Sequence, residues 1–337
     1  MKQTLQAFIN LIPSDKLVVL HGNTEALRNG DVHFPFRQSS DFLYLTDLDA
    51  PGLIVTILNN EMIIWRESIT DREILWGHNK LLDDEIRNIS GISDIRNKDL
   101  FDAYYTDHNE CILESDIVTE HIHSLRIIKN SSEIEKIKIA NRVTKKAFDY
   151  IASIIKPGMY EYKVEAEIAR IFRSHHMTEA YPTIAASGPN TCVLHYTRHT
   201  RQLLDGDLIL IDAGSEYMGY ASDVTRTFCV GGTFSQRQQE VYDAVARTKK
   251  IAENTIKPGI LFSEYENVVI SHMNLELIAL GLIPENSSDT EIQKLSRKYY
   301  PHRTSHFLGL DVHDVGPRDI ILEKGMVLTI EPGIYIE

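Results

Sequence analysis

The 337-residue chain carries 35 lysines and arginines against 48 aspartates and glutamates, a formal net charge of -13. That sign argues against broad binding to nucleic acid or to anionic membranes, which repel an acidic surface. With 43% hydrophobic and 25% charged residues the composition is that of an ordinary globular protein, and the length favours two domains over one.

The opening stretch "MKQTLQAFINLIPSDK" has no apolar run long enough for a signal peptide, and no later window reaches transmembrane length. The three cysteines, Cys111, Cys192 and Cys229, are odd in number and lack CxxC spacing, so no disulfide framework is expected. A cytoplasmic location fits.

Residues 1–125 alternate short β-rich runs ("KLVVLHG", "PGLIVTILNN", "EMIIWRE") with polar helical stretches, an α/β pattern that we read as a first domain. The character changes at "SLRIIKNSSEIEKIKIANRVTKKAFDYIASIIKPGM". There Ser132 and Glu135 predict a capping box, and Ile134, Ile137, Val143, Ala147 and Ile151 recur at helical spacing until Pro157 and Gly158. A second domain is expected over 131–337.

That domain repeats itself weakly. "IIKPGMYEYKVEAEIARIF" returns 101 residues later as "TIKPGILFSEYENVVISHM", and "LDGDLILIDAG" returns 119 residues later as "EKGMVLTIEPG". Each IKPG string follows a predicted capped helix and precedes an amphipathic one. Chance similarity of short strings is the alternative, but two matches in the same order favour a duplicated unit of helix, helix and strands.

Within "IDAGSEYMGYASDVTRTF" the aspartates Asp212 and Asp223 flank a turn near Met218 and Gly219. An antiparallel hairpin centred between Tyr217 and Met218 sets them face to face, where like charges destabilise unless a cation lies between them. Two solvated aspartates beside a turn are the alternative. Farther on, "YYPHRTSHFLGLDVHDVG" holds His302, His306 and His313, and "GMVLTIEPG" ends a strand at Glu331. An aspartate pair, an imidazole and a glutamate make a mostly oxygen donor set, suited to Mn2+, Fe2+ or Co2+ rather than to a thiolate zinc site. Bridging carboxylates favour two ions, roughly 3.5 to 4 Å apart.

The strings "HYTRHTRQLLDGDLILIDAGSEYMGYASDVTRTF", "SHFLGLDVHDVG" and "GMVLTIEPGIYI" resemble the aminopeptidase P family, Xaa-Pro aminopeptidases of the methionine aminopeptidase, prolidase and creatinase superfamily. "RNGDVHFPFRQSSDFLYLTDL" resembles that family's amino-terminal domain. The resemblance implies a small α/β domain with a mixed sheet, followed by a duplicated pita-bread domain. It implies Asp212, Asp223, His306 and Glu331 as ligands of two divalent metal ions, His195 beside the scissile carbonyl, and His302 and His313 lining the substrate pocket. The implied reaction is hydrolysis of the bond before a proline at the second position of a peptide. Water activated by the ions attacks, Glu331 is a candidate general base, and His195 and His313 stabilise the carbonyl oxygen. Prolidase is the rival within the superfamily, and a catalytically silent remnant that only binds peptides or partners is the rival outside it. Relatives are commonly homo-oligomers, so that is an expectation too. Arg37, Asp41 and Tyr44 are expected to serve packing or oligomer contacts, and Asp311 and Asp314 to bond within their loop.

Family members carry one more bridging glutamate, in a strand of "RIED" type. The repeat points the same way: the counterpart of Asp223 is expected about eleven residues after Glu331, past Glu337, so the pita-bread domain is expected to be truncated and its second metal site weakened.

Overall fold

Four strand-forming runs in the first third of the chain assemble into one sheet, and Leu27–Asn29 and Val32–His33 pair separately. The computed structural model describes residues 2–76 and 80–337, and divides into compact units of 1–126 and 127–337. In the first unit Val18–His21, Ile54–Leu58, Glu61–Arg66 and Asp94–Asn97 pair in that order, the last strand parallel to its neighbour and the others antiparallel, which makes the sheet mixed. Ile54, Ile63 and Trp65 share one face of the sheet by strand alternation and bury Phe101 against it. The buried Trp65 indole N–H donates to Thr56 Oγ1 at 2.9 Å, so no polar group is stranded there. Arg37, Asp41 and Tyr44 all serve this unit: Arg37 donates to the Gln38 carbonyl and the Ser40 hydroxyl, Asp41 pairs with Arg126 at 2.6 Å, and Tyr44 is buried.

The second unit opens with the helix Ser131–Ile154, which buries Ile137, Ala140, Val143, Ala147 and Ile151 along one face. Its capping box lies two residues before the expected one. Asn130 Oδ1 accepts from the Ser132 and Glu133 amides, and Glu133 returns a carboxylate oxygen to the Asn130 amide at 2.9 Å. Tertiary structure selects Glu133, because its other oxygen accepts from the buried Tyr220 hydroxyl at 2.7 Å.

The duplication is written in the backbone. Gly158 N–H donates to the Leu203 carbonyl at 2.9 Å, and 101 and 119 residues on, Gly259 N–H donates to Leu322 at 2.8 Å. Leu203 returns a bond to Met159 as Leu322 does to Ile260, and Glu161 reaches Arg201 as Phe262 reaches Ile320. The helices Glu161–Ser174 and Phe262–Ala279 follow these matched turns. Each half fills its own core, one around Phe148, Ile168, Phe172 and Ile211, the other around Phe262, Tyr265, Val269 and Phe307.

In the first half Leu208–Ala213 is a central strand between Ile184–Ser187 and Val224–Cys229. In the second, residues 327–331 run antiparallel to 304–308, with Leu308, Thr329 and Glu331 donating to Val327, His306 and Thr304.

Candidate metal centre

The hairpin carrying the aspartates forms, but not in the expected register. Met218 and Gly219 both have positive φ, 50° and 83°, the two-residue turn that matches strand twist. The hairpin is therefore centred between Met218 and Gly219, and the partner of Asp212 moves from Asp223 to Thr225. Asp223 falls in the break between the paired strands, where the chains cross so closely that a Cβ on Gly214 would stand 1.7 Å from the Ser222 carbonyl oxygen.

The aspartates meet all the same. Tyr181 Oη lies 2.5 Å from Asp212 Oδ1 and 3.0 Å from Asp223 Oδ1, so both carboxylates aim at one hydroxyl. Burial first, then the Asp223 charge, pushes the Asp212 carboxyl up to about 7. Burial and the same two carboxylates hold the Tyr181 phenol well above its ordinary range, so it remains a donor. Nothing in the sequence marks Tyr181, a single tyrosine ahead of a strand.

From the second half, His306 Nε2 lies 3.2 Å from Asp223 Oδ2 and 3.0 Å from Glu331 Oε1. His306 Nδ1 faces the Phe307 carbonyl at 2.9 Å, which can only accept, so Nδ1 keeps its proton and Nε2 is the atom presented to the carboxylates. Burial pulls this imidazole down, but the bonds to Asp223 and Glu331 outweigh it and bring it up to about 10. Thr329 Oγ1 fixes the geometry by accepting the His306 amide and donating to Glu331 Oε1, both at 3.0 Å. Ala221 N–H donates to the Gly309 carbonyl at 2.8 Å, tying the aspartate hairpin to the loop that follows His306.

One donor atom from each of Asp223, His306 and Glu331 lies within 4.8 Å of the others, and Asp212 joins them through Tyr181. Oxygen donors with one imidazole fit a hard or borderline divalent cation.

The remaining histidines surround this group unevenly. His313 packs edge-on against His306 at 4.4 Å between ring centroids. Partial burial and then the His306 charge hold it below its ordinary value, with His195 adding to the effect. His195 is exposed, in the segment after the strand Ile184–Ser187. His302 Nε2 shares a hydrogen bond with the Tyr335 hydroxyl at 2.9 Å. Asp314 forms a buried pair with Lys129 at 2.7 Å rather than facing the cluster.

A family model described as metallopeptidase family M24 matches residues 135–337, and one described as aminopeptidase P, N-terminal domain, matches residues 1–111. The chain belongs to metallopeptidase family M24. The Xaa-Pro aminopeptidase of Escherichia coli (strain K12) is 32% identical to this M24 chain, over 98% of the chain and 85% of the relative. The Xaa-Pro dipeptidase of Mus musculus is 35% identical over 67% of the chain and 50% of its own length. The structure of Pseudomonas aeruginosa aminopeptidase PepP superposes with a TM-score of 0.91 at 30% identity, covering 99% of this chain and 86% of that one. The expected architecture, a small α/β domain followed by a pita-bread domain, is borne out. Among the described residues no helix is long and apolar enough to cross a membrane.

Proposed function

We propose that this chain is a metal-dependent Xaa-Pro aminopeptidase, removing an amino-terminal residue that precedes proline. The observation that carries the reading is the convergence of Asp212, Asp223, His306 and Glu331 from both halves of the second unit, in a chain whose first unit matches an aminopeptidase P domain. That first-unit match favours an aminopeptidase over a dipeptidase.

In this reading the four side chains hold two divalent ions, Mn2+ first among the choices. Such ions supply a Lewis acid and bring the pKa of water toward neutrality. Glu331, the most open of the carboxylates at 33% side-chain exposure, takes the proton of the attacking water. His313 and His195 each donate an N–H to the carbonyl oxygen as charge develops there. His302 and Tyr335 form one wall of the substrate pocket. The three free thiols fit a reducing, cytoplasmic setting. A homo-oligomer belongs to the same reading and is checked by light scattering.

The test is to supply purified chain with Mn2+ and compare an Xaa-Pro tripeptide with an Xaa-Pro dipeptide. Release of the first residue from the tripeptide, lost in Asp223→Ala, is expected. Cleavage of the dipeptide alone points to prolidase, and no turnover with only trace metal by elemental analysis overturns the enzyme reading.

A further inference from the structure

Glu161 is fully buried at the start of its helix, yet among the described residues no lysine or arginine side chain bonds its carboxylate directly. Five neutral donors do. Oε1 accepts from the Ser187 amide at 2.7 Å, the Ser187 hydroxyl at 2.8 Å and Asn190 Nδ2 at 3.1 Å; Oε2 accepts from the Tyr196 hydroxyl at 2.8 Å and the Arg201 amide at 2.9 Å. All five lie between residues 187 and 201, the segment with His195 at its middle. Ser187 ends the strand Ile184–Ser187, and beyond a short 3-10 turn at Gly188–Cys192 the segment to residue 201 has no regular structure of its own.

The duplicated scaffold does not require a carboxylate here. The equivalent position in the second half is Phe262, whose amide makes the matching backbone bond and whose side chain simply fills the core. Burial alone would thus be satisfied by an apolar side chain, and a buried charge costs free energy unless hydrogen bonds offset it, as these five donors do. Its donors are both ends of the His195 segment and Tyr196, the residue next to His195. The Tyr196 ring is packed with Ile184, Ala186 and Leu210, and these belong to the strands that lead into the segment and toward Asp212.

We propose that Glu161 is a positioning residue: it fixes the His195 segment to the strand pair that carries Asp212, and so sets where His195 meets the substrate. The proposal rests on the peptidase reading above for what His195 does, but not for the anchoring itself.

Glu161→Gln tests it. An amide cannot satisfy all five donors, because its NH2 must face either the Arg201 amide or the Ser187 and Asn190 groups. Expected is a fall in kcat on the order of 10- to 100-fold with KM within about 2-fold, since a displacement near 1 Å at a reacting centre has that effect. In the His195→Ala background the same change is expected to add little, because both act through one group. Hydrogen exchange of amides 188–201 should quicken while the rest of the second unit is unchanged. Tyr196→Phe, which removes one donor and keeps the packed ring, should give the same pattern more weakly and covers the case in which Glu161→Gln does not fold. Equal losses with and without His195, or exchange quickened throughout the unit, overturn positioning in favour of general stability. Absence of wild-type turnover overturns the peptidase reading alone, and unchanged exchange at 188–201 overturns the anchoring whether or not the enzyme turns over.

Discussion

His306 Nε2 stands 3.2 Å from Asp223 Oδ2, and with the ring's proton held on Nδ1 by the Phe307 carbonyl, two lone pairs would face each other there unless positive charge lies between them. Without a cation that charge is a proton. Asp212, raised from 3.8 to about 7, and His306, raised from 6.5 to about 10, both bind protons more tightly folded than unfolded. Their stabilising contributions are complete below the lower value of each pair and vanish as pH rises through the upper one. The melting temperature of chelator-treated protein should therefore carry a falling component between about pH 4 and 7 from Asp212 and between about 6.5 and 10 from His306. Asp212→Asn should flatten the first window. Added Mn2+ should raise the melting temperature more at pH 8 than at pH 6, because protons compete for the same atoms.

Tyr181 supplies a single proton to two carboxylates. Tyr181→Phe is expected to destabilise the chelated protein by about 1.5 to 3 kcal/mol at pH 8, the worth of a hydrogen bond to a charged group. The loss should shrink at pH 5, where Asp212 is protonated, and shrink again when a divalent ion is added. Urea unfolding under the three conditions measures it.

Lys129 and Asp314 pair at 2.7 Å with both side chains 1% exposed, and a Cβ on Gly309 would stand 2.1 Å from the Asp314 carboxylate. Breaking a buried pair from one side leaves a charge in a poor environment, so Lys129→Ala should lose about 3–5 kcal/mol by denaturant titration. Gly309→Ala should fail in the same way, through the clash.

Met218 takes a left-handed conformation without being glycine or asparagine. Met218→Asn creates the Asn-Gly pair preferred in such turns and should stabilise by roughly 0.5–1 kcal/mol, read as a rise in melting temperature with activity intact.

Much of this arrangement was legible in the sequence. The IKPG strings and glycines at fixed offsets pointed to the duplication because matched turns need matched residues, and Gly158 and Gly259 make equivalent backbone bonds. Register was less accessible: periodicity places Asp212 on a strand, but the φ angles of Met218 and Gly219 decide its partner. The cap moved from Ser132 to Asn130 because a tyrosine 87 residues away selects Glu133. Tyr181 and Glu161 carry no mark in the sequence for a related reason. Their importance lies in which donors and acceptors surround them, and no local pattern encodes that.

The two halves of the second unit fill separate cores, yet each contributes two of the four converging side chains. A cation held by both pairs is therefore expected to couple the unfolding of the two halves, and its removal to broaden the transition as one side loosens before the other.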